Sequence, residues 1–232
     1  MTILDLAPHF LASPHAHTLR SIRETGVNLC LWERPARPAI AGLVERVAKA
    51  KARLALDVTL DSATVLAATA YTHRPLGAFA DDYAFPLWLD DMARLVALFR
   101  EISGAPAVRL RLERVADPAC AAFHADTLAL RLLCTYHGSG TQWLENENVR
   151  RDELGLRGRT IADANAAMIV DTENIRTIPA WHVAIFKGRA WPGEEANALV
   201  HRSFPVCCAD HARLRLCLDL AEASGSTDCS LP

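Results

Sequence analysis

The sequence predicts an α+β fold in which helices from the first half of the chain cover a β-sheet built mainly by the second half. Apolar residues recur every three or four positions in two stretches before residue 104, which is typical of amphipathic helices. From residue 107 onward, apolar and polar residues alternate with period two, which indicates half-buried strands. The chain has 232 residues, 51% of them hydrophobic, so it can bury one large core, and we expect a single domain over residues 1–232.

Two helices and one strand are predicted in the first half. The stretch GVNLCLWERP, residues 26–35, is apolar and ends at a proline, which favours a short strand leading into a turn. After Pro38, IAGLVERVAKAKARLAL has the composition and the apolar spacing of an amphipathic helix. LWLDDMARLVALFREI predicts a second helix, closed by Gly104 and Pro106. We therefore expect residues 1–105 to be mainly a helical support.

The second half carries the strand signals. VRLRLERV alternates apolar with charged residues, and further strand-like runs are LALRLLCTY, AAMIVD, WHVAIFKG and ARLRLCLDL. Loops rich in Gly, Pro, Asn and charged residues separate these runs. We expect residues 106–220 to form the β-structure, and residues 221–232, which are small and polar, to be a flexible tail.

Composition argues against several classes of protein. The formal net charge is -2 and no basic face stands out, so we expect no nucleic-acid partner. The N-terminal segment lacks a signal-peptide pattern, and no apolar run approaches the roughly 18 residues that span a bilayer, so we expect no membrane association. The seven cysteines are odd in number and lack the paired spacing of a zinc ribbon, which favours reduced thiols in a cytoplasmic protein.

A histidine and an aspartate stand two residues apart in the strand-like stretch FHADTLALRLLCTY. Residues i and i+2 of a strand project to the same side, so His124 and Asp126 offer an imidazole and a carboxylate together. Taken alone, such a pair is more often a buried histidine that is hydrogen-bonded to its neighbouring aspartate than a pair of metal ligands. His201, at the start of another apolar run, would complete two histidines and one carboxylate, the ligand set of non-haem Fe(II) oxygenases.

The run ARLRLCLDL, which follows His201, places Arg213 and Arg215 in alternation with leucines. If the leucines face the helices, the arginines point inward, where an anionic ligand such as the distal carboxylate of a 2-oxo acid can pair with a planar guanidinium. The alternative is that the arginines face solvent and the leucines face the core. The sequence leaves both interpretations open.

The order of these motifs resembles a known family architecture. An HxD pair is followed by a strand ending in Tyr, a GSGT turn, a strand ending in Gly, a histidine, and a basic residue 12 to 14 positions later (213 − 201 = 12, 215 − 201 = 14). This order is similar to that of the Fe(II)- and 2-oxoglutarate-dependent oxygenases. More narrowly, FHAD, LRLLCTYHGSGTQW and LVHRSFP resemble the bacterial family called domain of unknown function 1826, in which we expect HRSP where this chain has HRSFP.

The resemblance implies a fold and a set of roles. It implies a double-stranded β-helix, a jelly-roll or cupin-like barrel, over residues 106–220, with the N-terminal helices packed on one face. It implies Fe(II) held by His124, Asp126 and His201, which are then also the catalytic residues. The cosubstrate 2-oxoglutarate would be bound by Arg213 or Arg215, with Tyr136 or Thr135 in contact. The residues expected to contact substrate or brace the ligands are Arg131, Arg202 and Trp143, although tryptophans in a core more often serve packing.

The function implied is that of an oxidoreductase, a dioxygenase of the hydroxylase type acting on a small molecule or a protein side chain. The alternative is a non-oxidative, cupin-like protein that binds zinc or another divalent metal at the same three residues. The narrower family resemblance associates this alternative with zinc homeostasis. An anion clamp in the pocket distinguishes the oxygenase from the zinc-binding protein, and the sequence does not specify the oligomeric state.

Overall fold

The structure, a computed structural model, describes residues 8–115, 121–204 and 212–221. Its strands in chain order are β1 (Phe10–Ser13), β2 (Leu29–Trp32), β3 (Ala55–Leu60), β4 (Val108–Val115), β5 (His124–Ala125), β6 (Leu130–His137), β7 (Thr141–Leu144), β8 (Arg176–Ile178), β9 (Val183–Lys187), β10 (Val200–Ser203) and β11 (Arg213–Leu220). Its α-helices are α1 (Pro38–Lys49), α2 (Ala63–Thr72), α3 (Arg74–Gly77), α4 (Ala84–Ser103) and α5 (Ile161–Met168).

The strands form two separate sheets. The large sheet has seven strands in the order β1-β2-β9-β6-β11-β4-β3, and the small sheet has four in the order β5-β10-β7-β8. Strands β1 and β2 are parallel, and the other paired strands are antiparallel. Within the described residues the large sheet ends at β1 and β3 and does not close, so the predicted closed barrel is corrected to two sheets in a mixed α and β fold.

The two predicted helices of the first half are present. Helix α1 has a proline in its first turn, where the missing N–H costs nothing, and α4 ends at Gly104, whose φ of 72° provides a left-handed cap. The α1 prediction extends too far, because the helix stops at Lys49 and the last predicted residues begin β3. The first half also contributes β1, β2 and β3 to the large sheet, and β2 lies within the strand predicted over residues 26–35.

One predicted strand is wrong. The first three residues of the run AAMIVD are the last three of α5, which Thr160 caps by accepting a hydrogen bond from the backbone N–H of Asp163. After the helix, Ile169 forms only an isolated bridge with Val149. A short apolar run does not distinguish a buried strand from a helix by itself, and here the capping signal before it decides the outcome.

The large sheet has a helix side and an inner side. Leu214, Leu216 and Leu218 of β11 belong to the main core together with residues of α1 and α4. Cys217, on the other face of β11, packs with Trp143 and other residues in a cluster between the sheets. The leucines therefore face the helices, as one of the two interpretations of the sequence predicted, and the intervening residues face the small sheet.

The cysteines within the described residues are Cys30, Cys134 and Cys217, and all three are unbridged and buried. Burial raises the pKa of Cys30 to about 12 and that of Cys134 to about 11, so these thiols stay protonated and unreactive. Cys120, Cys207, Cys208 and Cys229 lie outside the described residues, as does the predicted tail from residue 222 onward. No helix of the described chain is both long enough and apolar enough to cross a membrane.

Candidate metal centre

The structure brings His124, Asp126 and His201 together at the edge of the small sheet. His124 lies in β5 and His201 in β10, and the two residues are direct partners in the antiparallel pair. Their ring centroids are 4.7 Å apart. Asp126 follows β5 directly, with Oδ1 at 3.6 Å from His124 Nε2 and Oδ2 at 3.7 Å from His201 Nε2. One ligand atom from each residue lies within 4.8 Å of the other two.

Both imidazoles are oriented by backbone carbonyls. His124 Nδ1 lies 2.9 Å from the carbonyl oxygen of Ala122, and His201 Nδ1 lies 3.3 Å from that of Leu199. A carbonyl oxygen only accepts, so Nδ1 must carry the proton in each contact, and a neutral ring then has a lone pair on Nε2. The Nε2 atoms are the ones that face Asp126, which is the orientation that a metal-binding histidine requires.

The charge states also suit a metal. Burial lowers the pKa of His201 to about 4, so this ring is neutral at pH 7. Burial would also lower the pKa of His124, but the hydrogen bond and charge of Asp126 outweigh it and raise this pKa. Burial alone would raise the pKa of Asp126, yet the two histidines and Arg131 hold it well below its usual range. The site therefore offers a permanent carboxylate beside imidazole nitrogens.

A chain of charged residues extends from Asp126 along the inner face of the large sheet. Arg131 Nη1 donates to Asp126 Oδ2 at 2.7 Å, while Arg131 Nε and Nη2 donate to Asp219 at 2.7 and 2.9 Å. Asp219 also accepts from Arg111 at 2.7 Å. Arg131, expected to contact substrate or brace a ligand, thus braces Asp126. Sequence reasoning missed Asp219, although it falls in period-two register with Arg213 and Arg215 in ARLRLCLDL.

Arg213 is enclosed between the two sheets, with 1% of its surface exposed. Its Nη2 donates to the hydroxyl of Thr141 at 3.0 Å and lies 3.4 Å from that of Thr135. Thr141 pairs with Ser203 of β10, which shares a strand face with His201. Arg213 and Thr135, both predicted cosubstrate contacts, therefore lie close together between the two sheets.

The other predicted contacts point elsewhere. Arg215 donates to Glu113 at 3.0 Å, so its charge is balanced within the sheet. The Tyr136 hydroxyl donates to Asp91 on the helix side of β6, which is the side opposite to Thr135 and Arg213. Arg202 donates to Gln142 at 2.8 Å, and its guanidinium stacks over Phe123. These three side chains have protein partners that account for their positions.

Trp143 packs in the cluster between the two sheets, with its ring centroid 5.1 Å from that of Phe10 in an edge contact. It is the direct partner of His201 across β7 and β10. Its burial fits the packing role that the sequence left open, and its position supports the strand that carries His201.

A second group of metal-binding side chains consists of His9, Glu145 and Glu147. Here His9 Nε2 already accepts a hydrogen bond from the backbone N–H of Asn146, and Glu145 accepts from Arg176. These atoms have partners within the protein, so the His124 group is the better candidate for a metal.

A family comparison agrees with the sequence motifs. A model of the family described as "Protein of unknown function (DUF1826)" matches residues 13–219. The chain belongs to the DUF1826 family. The matched region includes all three predicted metal ligands and both arginines of β11, so the whole candidate site lies within the DUF1826 region. No curated protein matches this DUF1826 chain.

Several solved structures are similar to this DUF1826 protein at low sequence identity. A rice dioxygenase for auxin oxidation is 11% identical, with 83% of this chain and 72% of that chain covered at a TM-score of 0.49. A Pseudomonas putida prolyl-4-hydroxylase is 10% identical, with 88% and 96% covered at a TM-score of 0.43. The Arabidopsis thaliana dioxygenase for auxin oxidation, solved with 2-oxoglutarate, is 13% identical, with 76% and 64% covered at 0.36. Because these TM-scores lie below 0.5, the functional proposal rests on the site itself.

The donor set fits Fe(II). Two imidazoles and one carboxylate are the donors of the facial triad of non-haem Fe(II) sites, a triad that leaves coordination positions open for other ligands. All three side chains converge without a competing cysteine among the described residues. The same nitrogen and oxygen donors also suit Zn²⁺.

Proposed function

We propose that this protein is a non-haem Fe(II) oxygenase that uses 2-oxoglutarate or a related 2-oxo acid as cosubstrate. The observation that carries the proposal is the convergence of His124, Asp126 and His201, with both Nε2 atoms directed toward the carboxylate. Bound Fe(II) and a 2-oxo acid would supply oxidation of a substrate C–H bond by dioxygen.

The residues of the chain have separable tasks in this proposal. His124, Asp126 and His201 hold the metal, and the backbone carbonyls behind the histidines fix their rings. Arg213, with the hydroxyls of Thr135 and Thr141, binds the distal carboxylate of the cosubstrate, because a guanidinium and hydroxyls provide several donors to one carboxylate. Burial of Arg213 between the sheets excludes water from that contact.

The substrate in this proposal is a small molecule or a protein side chain. The net charge of -2 and the absence of a basic block in the sequence favour these classes over a nucleic acid.

Visible absorption under anaerobic conditions tests the proposal directly. Metal-free protein is titrated with Fe(II) and then with 2-oxoglutarate, and a charge-transfer band should appear only when both are present. His124→Ala should abolish the band. His137→Ala, which alters a histidine at the end of β6 outside the ligand group, should leave it unchanged.

The arginine variants separate the two cosubstrate candidates. Arg213→Ala should raise the 2-oxoglutarate concentration needed for the band by about 10- to 100-fold, since a charge-assisted carboxylate contact is lost. Arg215→Ala should change it much less, because Glu113 already pairs with Arg215. The reverse order would assign the cosubstrate contact to Arg215.

The second candidate function is non-oxidative binding of Zn²⁺, which the same two imidazoles and carboxylate support. If Zn²⁺ or Fe(II) binds to the wild type and not to His124→Ala, yet 2-oxoglutarate gives no band, the metal site stands and the oxygenase proposal fails. Metal handling then becomes the better account.

A further inference from the structure

Asp126 is the first member of a chain of four alternating charges, Asp126, Arg131, Asp219 and Arg111. Arg131 donates two hydrogen bonds to the carboxylate of Asp219, from Nε and Nη2. Its remaining nitrogen, Nη1, donates to Asp126 Oδ2. The side chains of Asp126, Arg131 and Asp219 are 12%, 16% and 10% exposed, so these charges interact in a largely enclosed space.

Strand register builds this arrangement. Asp219 of β11 lies directly opposite Arg131 of β6, and Arg111 reaches the same carboxylate from β4 on the other side. The contact between Arg131 and Asp219 is bidentate, which fixes the plane of the guanidinium. Its Nη1 therefore occupies a defined position beside Asp126, whereas a single contact would leave it free to rotate.

We propose that Asp219 is a positioning residue for the metal centre and acts through Arg131; this inference rests on the proposed function. Arg131 holds Asp126 by Oδ2, while Oδ1 bonds no arginine among the described residues and lies 3.6 Å from His124 Nε2. Asp219 maintains both the orientation and the charge balance of Arg131.

The negative charge of Asp219 favours binding of a metal ion at the candidate site. Arg131 carries a positive charge next to a carboxylate that must also bind a dication, so an unbalanced Arg131 competes for Asp126 and repels the metal. The carboxylate of Asp219 offsets this charge. Removing it should weaken metal binding, although the contacts of Asp219 are with Arg131 and Arg111.

Metal affinity of the full chain tests the inference without any activity assay. Co(II), Zn(II) and anaerobic Fe(II) are titrated separately, and Asp219→Asn should bind each about 10- to 100-fold more weakly than the wild type, as outer-shell variants do. The visible band of bound Co(II) should also shift, since Asp126 is held differently.

Asp91→Asn is the matched control. Asp91 is also a buried carboxylate held by an arginine fork, from Arg34, but it lies on the helix side of the large sheet. This variant should lose stability and keep wild-type metal affinity. An equal loss of affinity in Asp91→Asn would assign the effect to general destabilisation and overturn the inference.

A double-mutant cycle with Arg131→Gln tests whether Asp219 acts through Arg131. In the Arg131→Gln background, Asp219→Asn should cause no further change in metal affinity. Additive losses, or wild-type affinity in Asp219→Asn, would overturn the inference. If Asp219→Asn does not fold by circular dichroism, Arg131→Lys replaces it, because lysine keeps the charge but cannot form the fork. Wild-type affinity in Arg131→Lys would likewise overturn the inference.

The outcomes separate this inference from the proposed function. If the unaltered chain binds none of the three metals, both fail together. If it binds metal and Asp219→Asn binds it equally well, the metal site stands and only the positioning role of Asp219 fails.

Discussion

Asp91 shows how burial makes a single carboxylate critical for stability. It accepts hydrogen bonds from Arg34, Arg37 and Tyr136, and only 3% of its surface is exposed. Asp91→Asn leaves the charge of buried Arg34 unbalanced, so we expect a loss of about 3–5 kcal/mol in the free energy of unfolding, measured by urea denaturation.

Asp57→Asn is the control for that loss. Asp57 forms a comparable arginine fork with Arg109, but both side chains are about half exposed. We expect its removal to cost less than about 1 kcal/mol, because solvent screens a surface pair. Similar losses in the two variants would contradict the assignment of the Asp91 effect to burial.

The pH dependence of stability should also follow from Asp91. Burial alone would raise its pKa, but the hydrogen bonds and the charge of Arg34 outweigh burial and lower it. A pKa lowered on folding contributes stability above the unfolded pKa and loses it as the pH falls through the folded pKa. The difference in the free energy of unfolding between wild type and Asp91→Asn should therefore narrow as the pH falls below the unfolded carboxyl pKa of about 4 and toward the lower folded pKa. A difference in the free energy of unfolding that does not change with pH would exclude this contribution from the titration of Asp91.

For individual residues, the sequence predicted which side chains belong to the candidate site better than it predicted the residues that they contact. The spacing of His124 and Asp126 is visible in the chain because a strand places i and i+2 on one side. Tyr136 and Arg215 were also candidates for cosubstrate contacts, Arg215 as the second choice after Arg213, but they bind Asp91 and Glu113, which are distant in sequence. Their partners depend on which strands and helices become neighbours.

Among the secondary-structure elements, the turn after β9 has a specific relation to the metal site. The backbone N–H of Gly188 donates to the carbonyl oxygen of Ala129, and that of Arg189 donates to the carbonyl oxygen of Asp126, so the turn contacts the backbone of the residue that carries the candidate metal-binding carboxylate. A Cβ on Gly188 would lie 2.1 Å from the carbonyl oxygen of Leu128 and 2.8 Å from that of Asp126. The approach of two backbone segments leaves room only for glycine.

Gly188→Ala should displace the segment that carries Asp126. We expect a loss of about 1–3 kcal/mol in the free energy of unfolding, as for overpacked sites, together with weaker Zn(II) binding in a titration. Gly42→Ala in α1 is the control, since its Cβ meets nothing nearer than Arg46 Nη1 at 3.7 Å. It should gain about 0.5–1 kcal/mol and keep its metal affinity. Unchanged metal binding in Gly188→Ala would separate the turn from the site.

Element boundaries were predictable where local signals were strong. The proline in the first turn of α1 and the glycine after α4 marked those helix ends in the sequence. The run AAMIVD was misread because its apolar residues fit either period, and only the Thr160 cap distinguished them. A strand as short as β5 has too few residues to show a period.

Across the whole molecule, the metal would join segments that are far apart in the chain. His124 and His201 lie on neighbouring strands of the small sheet, and metal binding requires both strands to be in place. A ligand that binds only the folded state stabilises it by mass action, about 2.7 kcal/mol at a concentration 100 times its Kd. Zn(II) should therefore raise the urea midpoint of the wild type.

His201→Ala should abolish that stabilisation, and His137→Ala should retain it. Both substitutions remove an imidazole, but only His201 belongs to the ligand group. Equal stabilisation of the two variants by Zn(II) would place the metal elsewhere in the protein.

The sequence by itself determined the local features of this protein. Capping residues and helical periodicity specified α1 and α4, period-two alternation specified β4 and β11, and the HxD spacing specified a paired imidazole and carboxylate. These features depend on residues within a few positions of one another, so their physical cause is present in the local sequence.

The tertiary structure decided how these parts meet. Pairing of β5 with β10 brought His201 to His124, and pairing of β6 with β11 placed Asp219 on Arg131. It also left the large sheet open within the described residues, where the family resemblance had implied a barrel. Such contacts depend on strand order and register, which are set by the burial of the whole core and not by any one segment.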